Sequence, residues 1–354
     1  MINAALGLRF LCIRMKKHKK FCVCSKILVT LPRNFLNMIN RTMVRTRVIQ
    51  SLFAYYENGD ITPTKACKEL VNSFSSTYSL YMMMLAFADE FATFAEQQIS
   101  ENIARARATH RPYTPNRKFV ENAFSKQIFS NRALRHYMTD HNLSWDGGLD
   151  AFPTLLRQLQ EQPYYKDYMS SPDSSYEEDK ALWRKIYTDL LPGNEALNSA
   201  LEELEVVLDM TNWTTDIDII LSYIFKTIKR FQEDNGADQE LLPIFDSEDE
   251  LQFGQTLLRE AIAHKEEYDE LIAAHLKNWD PTRIAFMDRI ILYVSLAEIA
   301  TFDEIALEVS LNEYIELAKE YSGEKSYLFI NGILDEILRE LKEKNKLVKS
   351  SNRK

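Results

Sequence analysis

Three arginines near the start of the first predicted helix are the residues best suited to hold a charged ligand. Arg41 and Arg45 are four positions apart, so on a helix they lie one turn apart and can present two guanidinium groups to consecutive phosphates. A guanidinium donates paired hydrogen bonds to phosphate and stacks on unpaired bases. Arg47 adds a third positive charge close by. The pattern could serve an RNA contact, but by itself it favours an ordinary solvent-exposed helix face.

The sequence lacks the motifs of common catalytic and cofactor-binding sites. The segment Gly323-Glu-Lys-Ser326 resembles the end of a phosphate-binding loop, but it lacks the upstream glycine and the preceding strand. Metalloprotease histidine pairs, nucleophile elbows and dinucleotide fingerprints are absent as well. Cys12, His18, Cys22 and Cys24 could ligate zinc, but their spacing matches no standard zinc site. We therefore expect a protein that is not an enzyme and that binds neither a cofactor nor a metal.

The charge of the chain is divided unevenly. Residues 1–37 contain eight Lys and Arg and no acidic residue, so the total of −9 leaves −17 on residues 38–354. A body this acidic repels a phosphate backbone, and RNA binding then needs a local basic patch or the charge of a partner. The abrupt change at Met38 predicts that residues 1–37 are a basic extension. This extension is either a nucleic-acid arm or, as we favour, upstream sequence that is not part of the native protein.

Composition favours a mainly helical protein of the cytoplasm. The sequence has only nine glycines, and 45% of its residues are hydrophobic. Three of the four cysteines lie in the first 24 residues, which is not the pattern of a disulfide framework. No stretch of 18 apolar residues is present, so we expect no membrane contact.

Helical periodicity defines the elements that must position the arginines. Asn40 is a predicted N-cap for a helix that reaches Glu57 and ends at Asn58-Gly59-Asp60. Residues 60–250 are a predicted succession of helices, including a long one over roughly 76–107. The last hundred residues predict a helix over 251–276 and three further helices.

Two features of the final helix can be interpreted from the sequence. Ser326 is a predicted N-cap, and Phe329, Ile333 and Ile337 share one face. Gly332 lies inside the helix, where glycine costs about 1 kcal/mol relative to alanine, so we expect close helix–helix packing there.

Four stretches together resemble the NusB family of transcription antitermination factors. They are residues 40–56, 253–276, 288–299 and 309–335. The last is the most specific, because it combines Asn312-Glu313, Glu316-Leu-Ala-Lys319 and Phe329-Ile-Asn-Gly-Ile-Leu-Asp335 at fixed spacing. With the residues between the last three stretches included, the resemblance covers about 18 residues at the front and about 90 at the back, roughly 110 of 354.

The resemblance implies an all-α bundle of two subdomains, the first enlarged by a long helical insertion. It implies binding of boxA-like single-stranded ribosomal RNA together with NusE, a small-subunit ribosomal protein. This complex acts with RNA polymerase to prevent premature termination in ribosomal RNA operons. Arg41 and Arg45 stand at the RNA-facing arginines of the family, with Arg47 as an additional base. Thr42 and Met43 replace further basic residues of the motif, which weakens the patch.

The resemblance also points to the start of the final helix, near the family's other RNA contacts. Free N–H groups and the positive end of the helix dipole favour a phosphate there, although Ser326 could serve only as a cap. The additional RNA-binding candidates are Lys325, Ser326 and Tyr327. The predicted structural supports are Gln50, Phe53, Asn331 and Gly332, with Asn331 expected to bond a neighbouring backbone group.

The sequence divides into an extension (1–37), the arginine helix with an enlarged helical region (38–250), a C-terminal NusB-like subdomain (251–345) and a tail (346–354). Two alternatives remain open. One is a helical adaptor that binds protein through the long middle block. The other is a NusB-like module related to ribosomal RNA methyltransferases, for which the chain leaves no room for a catalytic domain.

Overall fold

The computed structural model describes residues 38–245, 247–276 and 284–344, which form helices, turns and loops without a strand. The fold is all-α, as predicted. The extension, its cysteines and the tail after residue 345 lie outside the described residues. Within the described residues the chain forms two compact units, a terminal unit of residues 38–74 and 244–344 and an inserted unit of residues 75–243.

The α-helices follow one another along the chain, joined by connections of different lengths. They are α1 (Arg41–Asn58), α2 (Pro63–Ala108), α3 (Ala123–Ser130), α4 (Arg132–Asp140), α5 (Phe152–Glu161), α6 (Pro163–Ser170), α7 (Tyr176–Lys185), α8 (Glu195–Val207), α9 (Trp213–Arg230), α10 (Glu248–Ala263), α11 (Lys265–His275), α12 (Phe286–Thr301), α13 (Leu307–Tyr321) and α14 (Ser326–Glu343). The first turns of α2 belong to the terminal unit and the rest of α2 to the inserted unit. The arginine helix α1 thus belongs to the same unit as α10–α14, whereas the sequence division placed it with residues 60–250.

Helix α1 has the boundaries that the sequence predicted. The Asn40 side chain accepts a hydrogen bond from the backbone N–H of Met43 at 2.9 Å. Gly59 ends the helix with φ 63°, a left-handed conformation that glycine adopts without steric cost. Val44, Val48 and Leu52 are fully buried.

The terminal unit is built around α12. The residues from Ile290 to Ile299 are all buried, and α1, α10, α13 and α14 each pack against this helix. Helices α1 and α10 approach closely at Gly254, where a Cβ atom would lie 2.8 Å from Cγ1 of Val44. Glycine is therefore required here by packing.

The single helix predicted over 251–276 is two helices. A capping box formed by Ser247 and Glu250 begins α10, and His264 separates α10 from α11 with φ −104° and ψ 19°. The break contains neither glycine nor proline, so residue type gave no signal for it.

Two expectations about α14 were wrong. Ser326 is the first helical residue and caps nothing; its hydroxyl donates instead to Oδ2 of Asp288 at 3.0 Å. Gly332 is exposed, and a Cβ atom there would meet nothing within 4 Å. The helix therefore has no close neighbour at Gly332.

The inserted unit has an aromatic core in which the indole N–H of each tryptophan has a partner. Trp145 donates to the Met83 carbonyl at 2.9 Å, and Trp213 donates to the Ser76 carbonyl at 2.8 Å. The other aromatic rings around Phe87 are those of Phe91, Phe152, Trp183 and Tyr187. Paired indole N–H groups let large rings be buried without a desolvation penalty. No helix in the described residues is long and apolar enough to cross a membrane.

Candidate nucleic-acid interface

Arg45 is anchored inside the terminal unit. Its side chain is 3% exposed, and that of its partner Glu298 is 0% exposed. The guanidinium donates from Nε to Oε2 of Glu298 at 2.7 Å and from Nη2 to Oε1 at 2.9 Å. This paired geometry is the strongest form of an arginine–carboxylate contact, and it joins α1 to α12.

Two hydroxyl groups complete the environment of Glu298. Ser310 donates to Oε1 and Tyr314 donates to Oε2, both at 2.7 Å. Burial alone would raise the pKa of the Glu298 carboxyl, but the hydrogen bonds and charge of Arg45 outweigh it and hold that pKa below its ordinary value. Burial and the charge of Glu298 raise the pKa of Tyr314 well above its ordinary value, so Tyr314 keeps the proton that it donates.

A second carboxylate extends this network to the surface. Glu313 lies 3.4 Å from Nη1 of Arg45 and accepts a hydrogen bond from the Thr42 hydroxyl at 2.8 Å. The expectation that Arg45 presents its guanidinium to solvent beside Arg41 was therefore wrong. The physical reason is that two acidic side chains of α12 and α13 draw this arginine inward, where its charge is neutralised.

Arg41 remains at the edge of the unit. Its side chain is half-buried, and its guanidinium carbon lies 5.2 Å from the centre of the Phe253 ring. It has no ion pair with any other described residue. A cation above an aromatic face is held in position while its donors stay available. Arg41 can thus still bind an anionic ligand.

Arg47 and the predicted supports lie farther along α1. Arg47 is 2% exposed and donates to the side-chain oxygen of Gln50 at 2.7 Å. Gln50 and Phe53 are half-buried, and the Phe53 ring packs on Phe286 with centres 5.0 Å apart. Burial of Arg47 leaves its guanidinium little access to a ligand, so it belongs with the groups that fix α1.

The start of α14 is tied to α12 through Asp288. This carboxylate is 6% exposed and accepts hydrogen bonds from the hydroxyls of Ser322 and Ser326. Lys325 is exposed, and Tyr327 is half-buried. The Ser326 hydroxyl is already engaged, so Lys325 and Tyr327 are the accessible groups at this end.

Lys319 on α13 lies beside the predicted residues of α14. Its Nζ is 5.4 Å from the centre of the Tyr327 ring and 2.5 Å from Oε1 of Glu316. The side chain is 44% exposed. Asn331 donates to the side chain of Asp335 at 3.1 Å, whereas we expected a backbone partner.

The structure divides the predicted residues between two ends of α12. Arg45 contacts Glu298 and Ser326 contacts Asp288, and ten residues of helix correspond to about 15 Å. Helix α13 runs beside both sites, with Glu313 near Thr42 and Lys319 near Tyr327. An extended ligand is needed to reach both ends at once, and a single phosphate is too short.

Sequence reasoning missed Glu298 and Lys319. Glu298 is an acidic residue in the middle of the apolar run of α12, and a buried charge requires a partner. That signal could have paired it with a nearby arginine. Lys319 was part of the quoted family motif, but its approach to Tyr327 depends on the turn between α13 and α14. The described residues contain no group of three side chains able to hold a metal ion.

Comparison with known proteins identifies relatives of the second half of the chain. A family model described as the NusB family matches residues 218–339. The chain is 37% identical over 124 residues to the transcription antitermination protein NusB of Salinibacter ruber, covering 34% of this chain and 78% of the relative. It is 40% identical over 109 residues to the protein of the same name from Bacillus licheniformis, covering 31% of this chain and 82% of the relative.

A third relative, the transcription antitermination protein NusB of Chloroherpeton thalassium, is 39% identical over 94 residues, which cover 27% of this chain and 44% of the relative. No solved structure matches the chain. The family match includes α10–α14, the helices that hold Glu298, Asp288 and Lys319. With more than 30% identity over 78% and 82% of two relatives' lengths, the chain belongs to the NusB family.

Proposed function

We propose that the protein is a non-enzymatic transcription antitermination factor that binds boxA-like single-stranded RNA together with NusE. Its membership of the NusB family supports this function. In this role it joins the RNA polymerase complex in the cytoplasm and prevents premature termination in ribosomal RNA operons.

The observation that carries the proposal is the anchored arginine helix. The buried contact between Arg45 and Glu298 fixes α1 against the family-matched core. It leaves Arg41 at the edge with donors free for a phosphate. We assign direct RNA contacts to Arg41, Lys325 and Tyr327. Arg45, Arg47 and Ser326 position these contacts from within the unit, and they are not the groups that touch RNA.

The charge of the chain supports a requirement for a basic partner. Residues 38–354 carry −17, and each phosphate contact depends on a locally placed cation. The two ends of α12 offer only three such cations for RNA, Arg41, Lys325 and Lys319, and the charge of Lys319 is offset by Glu316 beside it. Binding of boxA-like RNA by the terminal unit should be weak without a partner. NusE, a ribosomal protein, supplies the missing positive charge and associates faster at low salt.

The test is a titration of boxA-like RNA against the complex of the full chain with NusE. Arg41→Ala removes one charge-assisted contact, which is worth about 1.5–3 kcal/mol, or roughly tenfold or more in affinity. Arg339→Ala is the matched control, because Arg339 is an exposed arginine near the far end of α14. Binding should weaken for Arg41→Ala alone, with a smaller dependence on salt.

Two results would contradict the proposal. One is equal RNA affinity and equal salt dependence for the wild type and both variants. The other is a folded chain that fails to bind NusE at low salt, which would favour the adaptor alternative. Circular dichroism of Arg41→Ala provides the folding control, because the side chain is only half-buried.

A further inference from the structure

The inserted unit carries a positive segment whose charge is opposite to that of the unit as a whole. Residues 75–243 contain 16 Lys and Arg against 26 Asp and Glu, a net charge of −10. Residues 102–120 contain five Lys and Arg and no acidic residue. Nearly a third of the unit's cations are thus concentrated in one short stretch.

This stretch projects from the core of the inserted unit. Arg117 donates from Nη2 to both carboxylate oxygens of Glu96, at 2.9 and 2.8 Å, and so holds the returning chain against α2 about three turns before α2 ends. No residue between Ala95 and Phe119 is buried. The last twelve residues of α2 extend for about 18 Å. We call residues 97–116 the basic hairpin.

The tip of the basic hairpin has a defined backbone. The N–H of Arg111 donates to the Ala106 carbonyl at 3.0 Å, and the N–H of Thr109 donates to the Arg105 carbonyl at 3.1 Å. His110 turns the chain with φ 51°. These bonds satisfy carbonyls that a helix end otherwise leaves open, so the tip is an ordered support for its side chains.

The three arginines and the tyrosine of the basic hairpin are exposed. Arg105, Arg107 and Arg111 are exposed and form no ion pair within the described part of the chain. Tyr113 is 44% exposed and follows Pro112, whose ring fixes its own φ. The helix dipole favours cations in the last turn of α2. It accounts for Arg105 and Arg107, but not for Arg111 and Tyr113, which lie beyond the helix.

We propose that the basic hairpin is a second RNA-binding site, which takes single-stranded RNA. The three arginines contact phosphates of the strand, and Tyr113 stacks on an unpaired base. Arginines alone would suit any polyanion, whereas an exposed aromatic ring in the same hairpin suits unpaired bases. This site goes beyond the proposed function, which places RNA on the terminal unit, and it binds without NusE and without sequence preference.

The test uses the full chain without a partner and a single-stranded oligouridylate that lacks a boxA-like sequence. The variant carries Arg105→Gln, Arg107→Gln and Arg111→Gln. The control carries Lys126→Gln, Arg157→Gln and Lys166→Gln, three exposed cations on other helices of the same unit. Both variants change the net charge equally, so a difference between them reports a local site and not long-range attraction.

The hairpin variant should bind the oligouridylate at least tenfold more weakly than the wild type at low salt. Its salt slope should fall by about two, since each phosphate contact in a single strand contributes roughly 0.7. Tyr113→Ala should weaken binding without changing the salt slope, because stacking releases no counterions. The control triple should bind as the wild type does.

Equal affinities of the hairpin and control triples would overturn the proposal, whether both bind normally or both lose the same amount. An unchanged oligouridylate affinity of the hairpin variant would also show that the hairpin is not an RNA-binding site. Failure of boxA-like binding by the complex with NusE would affect only the proposed function, since the oligouridylate measurement involves neither NusE nor the boxA-like sequence.

Discussion

Replacing Arg45 by methionine should destabilise the terminal unit strongly. The change leaves Glu298 buried with two hydroxyl donors but without its counter-charge. Breaking a buried pair by removing one partner costs about 3–5 kcal/mol. We expect a loss of about 3 kcal/mol, the lower end of that range, because Ser310 and Tyr314 still donate to the carboxylate.

The assay is urea unfolding of the full chain followed by two signals. Three of the four tryptophans, Trp145, Trp183 and Trp213, lie in the inserted unit, so fluorescence reports mainly that unit. Far-ultraviolet circular dichroism reports both units. A loss of 3 kcal/mol with an m-value of about 1–3 kcal/mol/M shifts the terminal-unit transition by about 1–3 M. The fluorescence transition should move less.

The stability lost in Arg45→Met should depend on pH in a definite direction. In the wild type the folded-state pKa of Glu298 is lowered, so the pair stabilises the fold above the unfolded pKa of about 4.3 and this stability is lost as pH falls through the folded pKa. In Arg45→Met, burial acts without the arginine and raises that pKa. The variant is therefore destabilised less at low pH. The difference in the free energy of unfolding between the variant and the wild type should become smaller as the pH falls from 7 to 4.

A second variant and a control sharpen the test. Adding Glu298→Gln to Arg45→Met removes the uncompensated charge while keeping an acceptor for the hydroxyls, so the double variant should be more stable than Arg45→Met alone. Arg339→Met, at an exposed pair, should change stability by less than about 1 kcal/mol. If Arg45→Met unfolds like Arg339→Met at pH 7, the buried pair is not what anchors α1.

Four further substitutions probe particular contacts. Gly332→Ala should raise the free energy of unfolding by about 0.5–1 kcal/mol, because its Cβ enters open space; a decrease in the melting temperature would contradict this. Gly254→Ala should lower stability by about 1–3 kcal/mol, because its Cβ would meet Val44 at 2.8 Å, and a neutral result would mean that α1 and α10 can separate freely. Asp288→Ala should cost about 1–3 kcal/mol by leaving two serine hydroxyls without an acceptor, seen as faster amide exchange at the start of α14. Asn194→Ala should cost about 1 kcal/mol through loss of the α8 cap, and this loss should appear in the fluorescence transition.

Local chemistry made several elements predictable. Asn40 caps α1 with its own side chain, and Gly59 ends it in a conformation that glycine favours. Both effects involve residues within three or four positions, so the sequence contains the whole interaction. The helical class followed in the same way from apolar spacing and few glycines. Membership of the NusB family was predicted from four short stretches, the most specific of them in α13 and α14, and is confirmed by the relatives.

Only the tertiary structure decided what each arginine does. Arg41 and Arg45 have the same side chain, one helical turn apart, and the sequence predicted the same role for both. Arg45 is buried because Glu298, 253 positions later in the chain, lies opposite it, while Arg41 meets the ring of Phe253 and keeps its donors free. The close packing expected at Gly332 was wrong for the same reason: a Cβ atom there would meet nothing within 4 Å in the described chain, and local sequence does not show which segments lie near a helix. Residue type and helical period determine the side of a helix on which a group lies. The chain segment that folds against that side determines whether its charge is neutralised inside or presented to a ligand, because the interaction energy of two charges depends on their separation and burial, and neither is set by local sequence.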